Sequence, residues 1–361
     1  MNRRNLMQAA AAGLSGLWVS QHLQAFETEP AATPAKIASA TRHVLPMNRN
    51  WLYGGKIMPG SSGADYDDRK FQRVTLPHTN KVLPWHSFDE KDFQFVSIYR
   101  RHFRPPAELR GRRVFVDFAG VMTAATVSLN GEKLGEYRGG YTPFSFELTK
   151  HLKWDGDNVL AVEVDSTERA DIPPFGGQID YLTFGGIYRE VSLRAVPDVY
   201  LENIFAKPVD VLSDGRRLDV KCYLSKPSGP TGAAPAALQL KVELRDGDKV
   251  LATGSQDIKP SAEGGENLIS LTNLGSIELW DLDHPKLYRV IVRLYDGDKQ
   301  VDEDSRRVGF REARFTPDGF QLNGKTVKLR GLNRHQTFPW VGGAMPARVQ
   351  RRDAQILREE L

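Results

Sequence analysis

From about residue 46 onward, hydrophobic and polar positions alternate in short runs separated by turn residues. Arg113-Val-Phe-Val-Asp-Phe118 and Ala125-Thr-Val-Ser-Leu129 place apolar side chains on every second position, the period of a half-buried strand. Asn130-Gly131 follows directly, and both residues tolerate positive φ, so a tight hairpin is predicted, with Lys133-Leu-Gly-Glu-Tyr137 as its return. Asp155-Gly-Asp-Asn158 marks another turn before Val159-Leu-Ala-Val-Glu-Val164, and Val191-Ser-Leu-Arg-Ala195 closes the series. Many short strands at this spacing predict a sandwich or jelly roll over residues 46–197.

The pattern repeats over residues 198–310. Strands are predicted at 218–224, 238–244, 268–271 and 288–295, with turns at Asp246-Gly-Asp248 and Asp296-Gly-Asp298. Residues 227–235, rich in Pro, Ser, Gly, Thr and Ala, read as a flexible loop between strands. A block of this length and style suits an immunoglobulin-like sandwich, and without a cysteine pair it is not of the antibody type.

The period changes after Arg311. Phe320-Gln-Leu-Asn-Gly-Lys-Thr-Val327 is a hairpin with an Asn-Gly turn, and residues 327–332 are predicted to continue as a strand. Pro346 fits the first turn of a helix. Val349, Ile356, Leu357 and Leu361 then recur at helical spacing, with Arg348, Arg351, Arg352 and Arg358 elsewhere. That apolar face is expected to need a partner, and the chain by itself is expected to associate.

Composition narrows the class. Length alone suggests two or three domains, and Gly 32 with Pro 21 favours a turn-rich β architecture. The net charge of +4 includes Arg3 and Arg4, and no basic stripe appears, so nucleic acid is not an expected partner. The single cysteine, Cys222, excludes an internal disulfide and a thiolate metal cluster; it reads as a small buried hydrophobe. His78, His86, His102 and His151 lack ligand spacing, and Asp65-Tyr-Asp67-Asp68 reads as a solvated acidic loop, so no metal site is predicted. No glycine-rich phosphate loop opens a helix, and Gly139-Gly140 and Gly185-Gly186 read as bulges or turns.

Residues 1–26 read as a twin-arginine-type signal peptide. Arg3-Arg4 precedes a weakly apolar run over 9–19, too short to span a bilayer, and Leu23-Gln-Ala25 is an acceptable cleavage site. Residues 27–45 read as a linker. The expected location is periplasmic or extracellular, with no membrane span.

A set of motifs then occurs in a fixed order. They are Thr75-Leu-Pro-His78, Ile98-Tyr-Arg-Arg101, Phe118-Ala-Gly-Val121, Val127-Ser-Leu-Asn-Gly131, Gly139-Gly-Tyr-Thr-Pro-Phe144, Gly185-Gly-Ile-Tyr-Arg189, Arg330-Gly-Leu-Asn-Arg-His-Gln336 and Asp353-Ala-Gln-Ile-Leu357. Together they resemble family 2 glycoside hydrolases, and within them the β-galactosidases, over residues 46–361. The resemblance implies a mainly β chain: a jelly-roll sandwich (46–197), an immunoglobulin-like sandwich (198–310), then the first strand and helix of a (β/α)8 barrel (311–361). It implies retaining hydrolysis of terminal β-galactosides by two glutamates, which a retaining mechanism holds roughly 5–5.5 Å apart. A complete barrel takes roughly 250 residues, so both glutamates are expected downstream of Leu361, and the 361-residue chain alone is expected to be inactive. β-Glucuronidase or another β-glycosidase of the family stays open as an alternative, as does a non-catalytic carbohydrate-binding fragment. The Asn-Arg-His-Gln run favours galactosidase.

The resemblance also assigns site residues. His335 matches a substrate-contacting His at the carboxyl end of the first barrel strand, where such barrels gather their catalytic loops. On a strand, Asn333 would share its face, while Arg334 would point away into a structural ion pair. Asp180 matches an Asp that reaches from the jelly roll into the barrel site, to accept sugar hydroxyls or help hold a cation. Tyr181, Leu182 and Thr183 depart from the family's usual flanking residues. The aromatics of Trp85-His-Ser-Phe88 and Phe93-Gln-Phe95 are candidates to line the pocket or a domain interface. No cofactor is required, a monovalent or Mg cation is possible in the full-length enzyme, the partner is a β-linked saccharide, and a homo-oligomer is expected at full length.

Overall fold

The computed structural model describes residues 42–83, 89–175, 181–227, 237–259, 261 and 264–360. The expected export segment, the Trp85-His-Ser-Phe88 loop, residues 228–235, Asp180 and Leu361 lie outside these residues. The described chain is mainly β, two successive sandwiches followed by a hairpin, an extended segment and one α-helix.

The first sandwich comprises, among the described residues, β1 (His43–Pro46), β2 (Trp51–Lys56), β3 (Gln72–Val74), β4 (Val96–Phe103), β5 (Arg113–Phe118), β6 (Ala124–Leu129), β7 (Glu132–Arg138), β8 (Phe144–Glu147), β9 (Asn158–Asp165) and β10 (Val191–Val196). Two antiparallel sheets, in the orders β3-β2-β4-β9-β6-β7 and β1-β10-β5-β8, close over one core that includes Trp51, Tyr99, Val116, Phe118, Val127, Leu160 and Leu193. The Asn130-Gly131 turn has φ of 56° and 85°, the double positive-φ pair that matches strand twist. β1 begins inside the stretch expected as linker, because its backbone pairs with β10, Val44 opposite Arg194.

β4 is buried on both faces. Arg100, opposite Ala161 of β9, has a fully buried side chain, since residues 58–69 fold over it. Its Nη1 donates to the carbonyls of Ser61 and Gly63, both at 2.7 Å, and its Nε donates to Asp68 at 2.6 Å. The expectation of a solvated acidic loop is therefore corrected at Asp68: a buried guanidinium needs a counter-charge, and this carboxylate is drawn in to supply it. Burial pushes the Asp68 carboxyl up, but hydrogen bonds from Arg100 and His102 outweigh that and hold it below its ordinary range.

The second sandwich comprises, among the described residues, β11 (Leu201–Val209), β12 (Arg217–Leu224), β13 (Leu238–Asp246), β14 (Lys249–Ile258), β15 (Gly265–Leu271), β16 (Tyr288–Asp296) and β17 (Lys299–Val308). Its sheets run β11-β12-β15 and β14-β13-β16-β17. Leu218, Val220, Cys222 and Leu224 of β12 face Leu238, Leu240, Val242 and Leu244 of β13 in one core, while the alternate positions face outward. Cys222 is fully buried, and burial pushes its thiol up to about 12, as a small core hydrophobe would have it. Arg42, just before β1, hooks the first sandwich onto the second. Its Nη2 donates to the Leu201 carbonyl at 2.6 Å and to Asp302 at 2.7 Å, and the Leu201 N–H donates to the same buried carboxylate at 2.8 Å.

After Arg311 come β18 (Ala313–Thr316), β19 (Gly319–Leu322) and β20 (Lys325–Thr326), a meander with its Asn323-Gly324 turn at φ 51° and 76°. The strand expected over 327–332 is not formed. Val327 still donates to Phe320 at 2.8 Å, but beyond it no neighbouring strand among the described residues offers a ladder, and residues 328–338 run exposed. α1 (Ala347–Glu359) starts after Pro346 as expected. None of its side chains is buried; Val349 and Ile356 are half-buried and Leu357 is exposed.

Candidate functional site

Three segments distant in sequence converge on one surface cavity of about 520 Å3. The β7–β8 loop contributes Tyr141, the connection from β9 to β10 contributes residues 181–184 with Tyr188 and Arg189, and the extended segment contributes residues 332–337. Met122 and Gly343 complete the lining.

Glycines make this convergence possible. Gly186 has φ 118°, and a Cβ there would lie 2.6 Å from the His78 carbonyl, so the chain passes that backbone only as glycine. The turn is then stitched down: His78 N–H donates to Ile187 O, and Asn80 N–H to Gly185 O, both at 2.9 Å. On the other side, Gly342 (φ 54°) lies so close to Phe184 that a Cβ would be 2.4 Å from the ring. Phe184 itself packs on Phe93, with ring centroids 5.7 Å apart, and Leu83 joins them in a small core. Phe93 is thus a buried support under the cavity rather than part of its lining. A second small core of Met122, Tyr188 and Ala344 seats residues 341–344 on the first sandwich.

The polar groups follow from this scaffold. Tyr188 is nearly buried and donates its hydroxyl to Gly140 O at 2.6 Å; burial pushes that hydroxyl's pKa up. Arg189 stacks its guanidinium 5.1 Å from the Tyr188 ring centroid and donates Nη1 to Tyr141 O at 3.3 Å. The Tyr141 and Tyr181 hydroxyls lie 3.1 Å apart, and burial together with this contact pushes the Tyr141 hydroxyl above its ordinary range.

His335 and Asn333 both line the cavity. Arg334 lines it too, so the in-and-out alternation of a strand is absent here, as expected where no ladder holds the pleat. The guanidinium of Arg334 nevertheless reaches away to Asp353 on α1, Nε to Oδ2 at 3.0 Å, which is the structural ion pair the sequence suggested. Asp180 falls outside the described residues, as does any cation it would hold. Among the described residues, no group of three or more His, Cys, Asp or Glu is placed to hold a metal, and no helix is long and apolar enough to cross a membrane. Sequence reasoning did not assign Tyr141 or Arg189 to the site, though both sit in motifs of the family set.

The described lining carries no carboxylate. It offers hydrogen-bond donors and acceptors (Asn333, His335, Gln336, Thr337, Thr183), two cations and exposed aromatic rings. Such a surface can orient a polyhydroxylated ligand, and it cannot by itself supply a carboxylate acid–base pair.

Comparison with known proteins bears on the family and the fold. Residues 199–311 match the glycosyl hydrolases family 2 model, and residues 77–173 match the glycosyl hydrolase 2 galactose-binding domain-like model. The chain is 42% identical over 323 residues to a β-galactosidase of Thermoanaerobacterium thermosulfurigenes, covering 89% of this chain and 44% of that protein. It is 41% identical over 323 residues to a β-galactosidase of Thermoanaerobacter pseudethanolicus, covering 89% of this chain and 42% of that protein. Among solved structures, a Bacteroides uniformis β-glucuronidase superposes with a TM-score of 0.77 at 30% identity, over 88% of this chain and 38% of that one. The chain therefore spans less than half the length of each of these relatives. With its paired sandwiches, its motif order and these matches, the chain belongs to glycosyl hydrolase family 2 and is similar to the N-terminal portion of the family's β-galactosidases.

Proposed function

We propose that this chain supplies the substrate-holding half of a retaining β-galactosidase, exported by its twin-arginine-like N-terminus. The observation that supports this most is one cavity that gathers Asn333 and His335 with the 181–189 turn of the first sandwich. In this reading His335 and Asn333 bond sugar hydroxyls, and Asp180 adds a carboxylate from the jelly-roll side, either directly or through a cation. The two glutamates that cleave the bond belong to later barrel strands. A retaining pair must lie roughly 5–5.5 Å apart, and the described lining carries no carboxylate to form one. The identity of the galactosidase relatives, above 40%, favours β-galactosides over β-glucuronides. The test is hydrolysis of chromogenic β-galactoside and β-glucuronide by protein translated from the whole reading frame. Turnover of the galactoside is expected; preference for the glucuronide overturns the substrate assignment.

A further inference from the structure

β13, β16 and β17 set three arginines side by side: Arg245 is the cross-strand partner of Arg289, and Arg289 that of Arg307. Their strand neighbours Leu244, Tyr288, Val290 and Val308 are buried in the core, so the arginines fall on the outer face of the four-stranded sheet. Exposed arginines are ordinary, but like charges directly opposite one another across strands are destabilising, so folding alone does not select such a row. Arg245 has a counter-charge, its Nε donating to Glu243 at 2.7 Å. Among the described residues Arg289 and Arg307 have no carboxylate partner, and both are exposed.

The acids near the row are already engaged. Arg293 donates to Glu303 at 2.7 Å and lies 2.9 Å from Glu243, and at the β13–β14 turn Lys286 holds Asp246 at 2.8 Å. Val250, the cross-strand partner of Arg245, and Leu287, just before β16, add apolar surface; each is 41% exposed. Neighbouring strands lie about 4.8 Å apart, so the row offers three guanidinium groups over roughly 10 Å. That step is close to one sugar unit of an extended saccharide chain. The row carries no aromatic ring on which a base could stack, and Glu243 and Glu303 share its face, where the wider phosphate footprint of a double helix would meet them.

Taking the saccharide nature of the partner from the glycosidase reading above, on which this rests, we propose that Arg245, Arg289 and Arg307 form a docking surface for an acidic polysaccharide, one that carries sulfate or carboxylate groups along its chain. Arg289 and Arg307 each offer a free guanidinium fork to an oxyanion, while Arg245 shares its charge with Glu243. Val250 and Leu287 meet the apolar C–H faces of the sugars. None of these residues lines the cavity of Asn333 and His335, so the surface holds the polymer and takes no part in cleaving it.

Titration calorimetry on the full chain tests this, with dextran sulfate and polygalacturonate as the sulfated and carboxylated probes, dextran as the uncharged one, and a duplex DNA oligonucleotide as a different polyanion. Wild type is expected to bind at least one acidic polysaccharide, the tighter of the two naming the preferred group, and to leave dextran unbound and DNA weaker. Arg289→Gln and Arg307→Gln should each weaken that binding about tenfold and lower the slope of log K against log salt by about one. Neither should lower the melting temperature in polyanion-free buffer, because each removes a like-charge neighbour. Arg69→Gln, at an exposed arginine of the first sandwich paired with Asp67, should change nothing. The proposal is overturned if folded wild type binds neither acidic polysaccharide, if dextran or DNA binds as tightly, or if the Arg289 and Arg307 variants bind like wild type. Hydrolysis of an aryl β-galactoside by the whole-frame protein is read separately: turnover without polysaccharide binding removes the docking surface and leaves the function standing, and binding without turnover does the reverse.

Discussion

Arg334 holds Asp353 across 19 residues of chain, its Nε 3.0 Å from the carboxylate, and this pair ties the segment bearing His335 to α1. Both side chains are about one-third exposed, at 31% and 32%, so solvent screens the pair. Asp353→Asn should cost about 0.5–1 kcal/mol at most in global stability. Its larger effect should be local: amide hydrogen exchange over residues 347–359 should speed up, and Arg334→Asp with Asp353→Arg should restore slow exchange.

Arg100 is a different case, because its guanidinium is fully buried and supplies hydrogen bonds to three carbonyls, those of Ser61, Gly63 and Ala64, and to Asp68. Removing one partner of a buried pair typically costs about 3–5 kcal/mol. Arg100→Met should lower the unfolding free energy of the first sandwich by that amount, seen as a lower urea midpoint at unchanged m, and expose the 58–69 loop to protease. A midpoint within error of wild type would show that Asp68 finds solvent instead.

His78 makes the fold acid-sensitive. Burial pushes its imidazole from 6.5 down to about 4, and its Nδ1 lies 2.9 Å from the Tyr99 hydroxyl. The folded state therefore binds fewer protons than the unfolded state between those two values. The stability it contributes is complete above pH 6.5 and is lost as pH falls toward 4. At about 1.4 kcal/mol per unit, the loss is on the order of 3 kcal/mol as an upper bound. His78→Gln should flatten the melting-temperature profile over this window, and an unchanged acid slope would assign the sensitivity elsewhere.

Gly342 decides whether residues 338–345 seat on the first sandwich. Its φ of 54° strains any other residue, and a Cβ would meet Phe184 at 2.4 Å. Gly342→Ala should cost about 1–3 kcal/mol and shift the fluorescence of the exposed Trp340, two residues away. A silent substitution would mean that this loop rests on the sandwich loosely.

Some of this architecture was written in the period of the chain. β12, β13 and β16 bury alternate side chains, and β5, β6 and β9 are buried over most of their length on both faces, so hydrophobicity marks all six. β14 and β17 are edge strands with no buried residue in their first three positions, and their pairing is imposed by the turns at Gly247 and Gly297 rather than by a pattern of their own. Asp68 looked like part of a solvated cluster because nothing in its neighbourhood announces Arg100, 32 residues away. The stretch over 327–332 has a strand's composition and lacks a strand's neighbour among the described residues. The cavity was legible at Asn333 and His335 through family resemblance, while Tyr141 became visible only when folding brought it to Tyr181.

The most direct measurement is kcat/KM for an aryl β-galactoside, comparing whole-frame wild-type protein with His335→Ala, alongside the melting temperature of each. His335 is exposed on an unpaired segment, so its loss should barely move the melting temperature. A lost hydrogen bond to a sugar hydroxyl, strongest at the transition state, should lower kcat/KM about 100-fold, near 2.7 kcal/mol. An unchanged kcat/KM in a correctly folded variant would contradict the placement of the substrate in this cavity.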